Sequence, residues 1–127
     1  QIETPETFVL ATGRTETVRH FAELAFAALG ATLEFRGHGE HETARIAALT
    51  ETPLWPTLPE GKPRLTVGQT VLQVNPRYYR PAEVDLLIGN PAKAERLLGW
   101  RPQTSLETLA HMMVAAEIPR VAQGVAY

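Results

Sequence analysis

The stretch richest in groups that could do chemistry is Asn75-Pro76-Arg77-Tyr78-Tyr79-Arg80-Pro81-Ala82-Glu83-Val84-Asp85. It sets two arginines, two tyrosines and two carboxylates where a strand is expected to end and a helix to begin. Arginine presents a planar fork matched to phosphate oxygens. With Pro81 as the first helical residue, Arg80 stands at a helix N-terminus, where free amides and the macrodipole also favour an anion. Glu83 follows three residues on, near the same face, and can accept hydrogen bonds from vicinal hydroxyls of a ribose. A cation for phosphate beside an acceptor for sugar hydroxyls is what a nucleotide-sugar site needs. The same residues suit a structural reading, an Arg80–Glu83 salt bridge with the tyrosines as core, and the residues alone leave both open.

Elsewhere the search for a reaction centre returns little. A Tyr-x-x-x-Lys pair would supply an acid and a base, but the only lysines, Lys62 and Lys93, are preceded four residues earlier by Leu58 and Gly89. A dinucleotide loop needs several glycines after a strand, whereas Thr12-Gly13-Arg14-Thr15-Glu16-Thr17 has one. His38, Glu40, His41 and Glu42 are metal-ligating types, but the histidines are three apart, next to Gly37 and Gly39, unlike the i, i+4 pair of a zinc helix. They read as a solvated polar loop. His20 and His111 have no obvious partner, and Asp85 is the one aspartate. No catalytic, cofactor-binding or metal-binding residue is therefore assigned; the candidate substrate-binding pair is Arg80 and Glu83.

Elements must position that pair. Phe8-Val9-Leu10-Ala11 reads as a buried strand. Val18, Phe21, Ala22, Ala25, Phe26 and Leu29 recur at helical spacing, with Thr17 as N-cap and Gly30 suited to a left-handed exit. Leu33 and Phe35 alternate with polar residues as a second strand, so a parallel crossover is expected. From Gly37 to Gly68 the pattern gives way to a long excursion, with a short helix around His41 to Leu49. Thr70 to Val74 gives a third strand, closed by Asn75-Pro76. Three helices are then expected. They run from Pro81 to Ile88, from Asn90 to Leu98 with Gly99 past its end, and from a Thr104/Glu107 capping box to Pro119. Leu106, Leu109, Ala110, Met113 and Val114 would form the inward face of the last.

The 127 residues, 44% hydrophobic and 20% charged, fit one modest domain. A net charge of −2 argues against a nucleic-acid or anionic-membrane partner. Absence of cysteine excludes disulfides and fits a reducing cytoplasm. No apolar run approaches the roughly 18 residues a membrane span needs. The start, Gln1-Ile2-Glu3-Thr4, has neither an initiator methionine nor a signal-peptide pattern, and is expected to belong to a processed or partial polypeptide.

Several stretches, taken together and in order, resemble GDP-mannose 4,6-dehydratases. They are Phe8 to Gly13 followed by Thr17-Val18-Arg19, then Phe35-Arg36-Gly37-His38-Gly39, and Val74 through Asp85. Gly89-Asn90-Pro91-Ala92-Lys93-Ala94 and Leu98-Gly99-Trp100-Arg101-Pro102 complete the set. The last occurs across extended short-chain dehydrogenase/reductases, whereas the Arg77 to Asp85 run is particular to the dehydratases. The resemblance implies an α/β fold: a small C-terminal substrate-binding domain spanning 1–127, with a few-stranded, largely parallel sheet and helices. It implies that Arg80 touches the diphosphate of GDP and Glu83 its ribose, with Arg77 and Tyr78 as neighbours. The family uses NADP to convert GDP-mannose to GDP-4-dehydro-6-deoxy-mannose. Its glycine-rich loop, its catalytic Thr and Glu, and its Tyr-x-x-x-Lys pair belong to an N-terminal Rossmann domain absent from this chain, so no NADP is expected to bind the chain alone. The implied partners are GDP-mannose and that Rossmann domain or another subunit, in a homo-oligomer. The alternatives are the equivalent segment of another NDP-sugar reductase or epimerase, and a non-catalytic binding or assembly module.

Overall fold

The computed structural model describes residues 4–80 and 86–124. After an irregular N-terminal segment comes helix α1 (Val18–Ala28), then strands β1 (Ala31–Arg36), β2 (Thr43–Leu49) and β3 (Thr70–Gln73), and helices α2 (Ala92–Leu98) and α3 (Leu106–Ala122). Short 3₁₀ turns occupy Gly39–His41, Trp55–Thr57 and Pro76–Tyr78. The sheet runs β1-β2-β3 and is antiparallel throughout. The fold is α/β in content, but the largely parallel sheet expected from the sequence is not what forms.

Two local readings account for that error. Thr43 to Leu49, expected as part of a short helix, is strand β2. Ala44 and Ile46 alternate as fully buried side chains, and Arg45 reaches across to Glu34 at 2.7 Å. Alanine favours a helix, but two-residue alternation and cross-strand pairing outweigh that preference here. The pairing jumps from Thr32↔Ala48 to Leu33↔Ile46, leaving Ala47 as a bulge. Arg45 and Arg36 hold the Glu34 carboxyl below the usual glutamate range by hydrogen bonding to it. The second misreading is Phe8–Ala11, which forms no strand; Val9 and Leu10 are more than half exposed. With no strand there, β1 has no parallel partner and turns back through Gly37–Glu42 onto β2 instead.

Helix α1 is punctuated as its sequence indicates. The Thr17 side chain accepts from the His20 amide at 3.0 Å, and Gly30 leaves at φ +78. A β-carbon on Gly30 would stand 1.8 Å from the Thr50 carbonyl oxygen, so the chain passes closer here than any other residue permits. The segment after β2 satisfies the open C-terminal carbonyls of the helix. Thr52 Oγ1 donates to Ala28 at 3.1 Å and the Trp55 indole N–H to Leu29 at 2.7 Å.

The C-terminal helices shift slightly from expectation. Asn90 Oδ1 accepts from the Ala92 amide at 3.0 Å, Pro91 takes the capping position, and Gly99 exits at φ +64. Ser105, not Thr104, caps α3, accepting from the Thr108 amide at 3.2 Å. Glu107 is held below the usual glutamate range by its own backbone amide and the Ser105 hydroxyl. Pro119 does not end α3, which continues to Ala122; so near the terminus the ring removes one hydrogen bond without forcing a stop. Of the expected inward face only Ala110 is buried, while Leu109 and Met113 are nearly half exposed. The helix expected from Pro81 to Ile88 falls largely outside the described residues, and Leu86 to Asn90 are not helical.

α3 packs on α1, and α1 on β1. The described core is small: Ala31, Ala44, Ile46, Leu54, Ala94 and Ala110. The chain exposes 9799 Å², against about 6,700 Å² for a compact folded monomer of 14.0 kDa. No described helix is long and apolar enough to cross a membrane.

Candidate functional site

β3 delivers the chain to the candidate site. Just past its end, the Val74 amide donates to the Glu42 carbonyl at 3.0 Å, which fixes where the chain leaves the sheet. Asn75 turns it: its side-chain oxygen accepts from the Arg77 amide at 3.0 Å, and Pro76 supplies the restricted φ that opens the Pro76–Tyr78 turn. The Tyr78 amide then donates to the Asn75 carbonyl at 2.9 Å and that of Tyr79 to Pro76 at 3.3 Å. Arg77, Tyr78, Tyr79 and Arg80 are thereby presented together on the surface, with Tyr78 71% exposed.

Arg77 lies over the Tyr78 ring, 5.7 Å from its centroid. Arg77 and Arg80, like Arg96 on α2, form no ion pair with a described residue, whereas Arg14, Arg19, Arg36, Arg45, Arg64, Arg101 and Arg120 all do. Two solvated guanidiniums, one of them over an exposed aromatic ring, are groups that can receive an anion. Glu83, the second candidate residue, lies outside the described residues, as does Pro81, the expected start of the following helix. The tyrosines are not core, as the structural reading of the sequence would have them.

The structure adds a neighbour that spacing did not reveal. The Gly37–Glu42 turn, set aside in the sequence as a polar loop, comes against Tyr79, whose ring edge lies over Gly39. His38 and His41 belong to this turn; among the described residues no three His, Asp or Glu side chains gather in a metal-holding group.

The Thr12–Thr17 turn is held by contacts among its own residues. Thr12 Oγ1 accepts from the Arg14 amide at 3.2 Å, Arg14 pairs with Glu16 at 2.9 Å, and the open side of Gly13 faces Pro91. A separate apolar groove of about 740 Å³ runs between α1, α3 and residues 58–64, lined by Phe21, Leu29, Met113 and Ile118. It holds none of the Asn75–Arg80 residues, and its apolar lining suits packing better than anion binding.

Comparison with known proteins matches residues 1–113 to the GDP-mannose 4,6 dehydratase family. The GDP-mannose 4,6-dehydratase of Yersinia enterocolitica is 38% identical over 97% of the chain, and that of Vibrio cholerae 40% identical over 97%. The GDP-mannose 4,6 dehydratase of Dictyostelium discoideum is 39% identical over the whole chain. In each case the chain spans only 31% of the relative's length. With a match over nearly all of its length, the chain belongs to the GDP-mannose 4,6-dehydratase family.

Proposed function

We propose that this chain is the substrate-binding, C-terminal segment of a GDP-mannose 4,6-dehydratase, helping to convert GDP-mannose to GDP-4-dehydro-6-deoxy-mannose. The observation that carries the proposal is the pair of exposed arginines, Arg77 and Arg80, free of ion pairs with described residues, with Arg77 over the Tyr78 ring. In this reading the Arg80 guanidinium binds the diphosphate and Glu83 accepts from the ribose hydroxyls. Holding the nucleotide at that end aligns the hexose with reacting groups that the chain itself lacks. NADP supplies the hydride chemistry in the family, and the Thr12–Thr17 turn carries one glycine where a dinucleotide loop needs several. The cofactor is therefore assigned to a Rossmann domain outside this chain, and the assembly to the cytoplasm.

Calorimetry with GDP, UDP and dTDP tests the assignment. GDP is expected to bind and the other two to bind more weakly. Equal affinity for all three would favour another NDP-sugar enzyme, and steady formation of the 4-keto sugar by the chain alone would contradict the assignment.

The face that meets the Rossmann part is proposed to be formed by Phe8–Ala11 and Leu86–Gly89. A β-carbon on Gly89 would touch Ala11 at 2.6 Å and Val9 at 3.3 Å, so the two runs lie side by side. Their backbones make no hydrogen bond to another described residue. Leu10 is 61% and Leu87 79% exposed. Continuous apolar runs of this kind suit strands covered on both faces. Left uncovered, such a face promotes association. The isolated chain is expected to self-associate in sedimentation velocity, and Leu10→Glu with Leu87→Glu to return it to monomer. Each change should alter folding stability by no more than about 0.5 kcal/mol, as at other exposed sites. A monomeric unsubstituted chain would count against this face.

A further inference from the structure

We infer that the Gly37–Glu42 turn is the seat on which Tyr79 rests, and that Gly39 is a positioning residue for the Arg77–Arg80 run; the inference rests on the assignment of that run to a nucleotide. A methyl group built on Gly39 would stand 3.1 Å from the Tyr79 hydroxyl oxygen, 3.5 Å from Cζ and 3.7 Å from Cε2. Gly39 also has φ +57, so a side chain there is both strained and in the way of the phenol. Tyr79 is only 42% exposed, against 71% for Tyr78, because it leans on this turn.

The turn is well enough held to act as a seat. The His41 amide donates to His38 at 3.1 Å and that of Glu42 to Gly39 at 3.2 Å. A β-carbon on Gly37 would stand 2.3 Å from the His41 carbonyl oxygen, so the two arms of the turn are in close contact. Glu42 is gripped from α1 by Arg19 at 2.5 Å, and the same guanidinium lies 5.0 Å from the centroid of the β1 residue Phe35. The Glu42 carbonyl accepts from Val74, at the end of β3. Helix, hairpin and strand end thus converge on one turn, and Tyr79 transmits its position to Arg80, the next residue. The Tyr78 and Tyr79 amide bonds to Asn75 and Pro76 stiffen that connection.

The test is a GDP titration of the 127-residue chain, followed by NMR, for Gly39→Ala, Tyr79→Phe and the double variant. Gly39→Ala is expected to weaken GDP binding roughly tenfold, the loss of about one charge-assisted hydrogen bond, and to lower the melting temperature. Tyr79→Phe removes the atom nearest the new methyl, so the double variant should recover the GDP affinity of Tyr79→Phe. Its melting temperature should stay low, because alanine remains strained at a left-handed φ. A Gly39→Ala chain with a lower melting temperature and unchanged GDP affinity would overturn the inference, as would a double variant no better than Gly39→Ala. If the unsubstituted chain shows no response to GDP, the nucleotide assignment fails separately. Amide exchange at Tyr78 and Tyr79 then decides: acceleration in Gly39→Ala with recovery in the double variant upholds the seat, and unchanged exchange overturns it.

Discussion

Arg80→Ala is expected to weaken GDP binding about ten- to a hundredfold while leaving the melting temperature where it was. The affinity loss follows from removing a charge-assisted hydrogen bond to the diphosphate, which contributes on the order of 1.5–3 kcal/mol. The unchanged stability follows from the fold. Arg80 is exposed and pairs with no described carboxylate, and substitutions at such positions stay within about 0.5 kcal/mol. Calorimetric titration beside a thermal melt separates the two quantities. The opposite pattern, a changed melting temperature with GDP affinity intact, belongs to a non-catalytic module in which this arginine has become structural. Arg36→Ala is a useful comparison: that guanidinium is engaged with Glu34 at 3.0 Å and should leave GDP affinity unaltered.

The largest loss of stability is expected at Ile46. It is the one large side chain among the described residues that is fully buried; it sits opposite Leu33, and its backbone also exchanges hydrogen bonds with Gly68 and Gln69. Ile46→Ala removes apolar contact and leaves a cavity, at a cost of about 2–5 kcal/mol. Domains are stable by only about 5–15 kcal/mol, and one whose described core consists otherwise of four alanines and Leu54 has little reserve. A melt followed by circular dichroism should fall by on the order of 10 °C. Val18→Ala, at a position 82% exposed on α1, should scarcely move it.

What was legible in the sequence was mainly local punctuation. Thr17 and Gly30 mark the ends of α1, and Gly99 the end of α2, because caps act within a turn of chain and need no tertiary partner. β2 is hidden in the sequence because Ala44, Ala47 and Ala48 carry a helical preference, and only pairing with Leu33, Glu34 and Phe35 reveals the strand. Phe8–Ala11 was recognised as apolar, but its expected burial does not occur within this chain; the apolar pattern says that a run should be covered, not by what. Arg80 could be picked out by chemical type at a strand end. Gly39 could not, since its role depends on Tyr79, far away in sequence and brought near only by the antiparallel sheet.

The central claim is that the Asn75–Arg80 surface receives a nucleoside diphosphate. The most direct measurement is an amide-resolved NMR titration of the unsubstituted chain with GDP into the millimolar range. Saturable shifts centred on Asn75, Arg77, Tyr78, Tyr79 and Arg80, with α3 unaffected, are the predicted result. No saturable response, or one confined to the groove lined by Phe21, Met113 and Ile118, would contradict it.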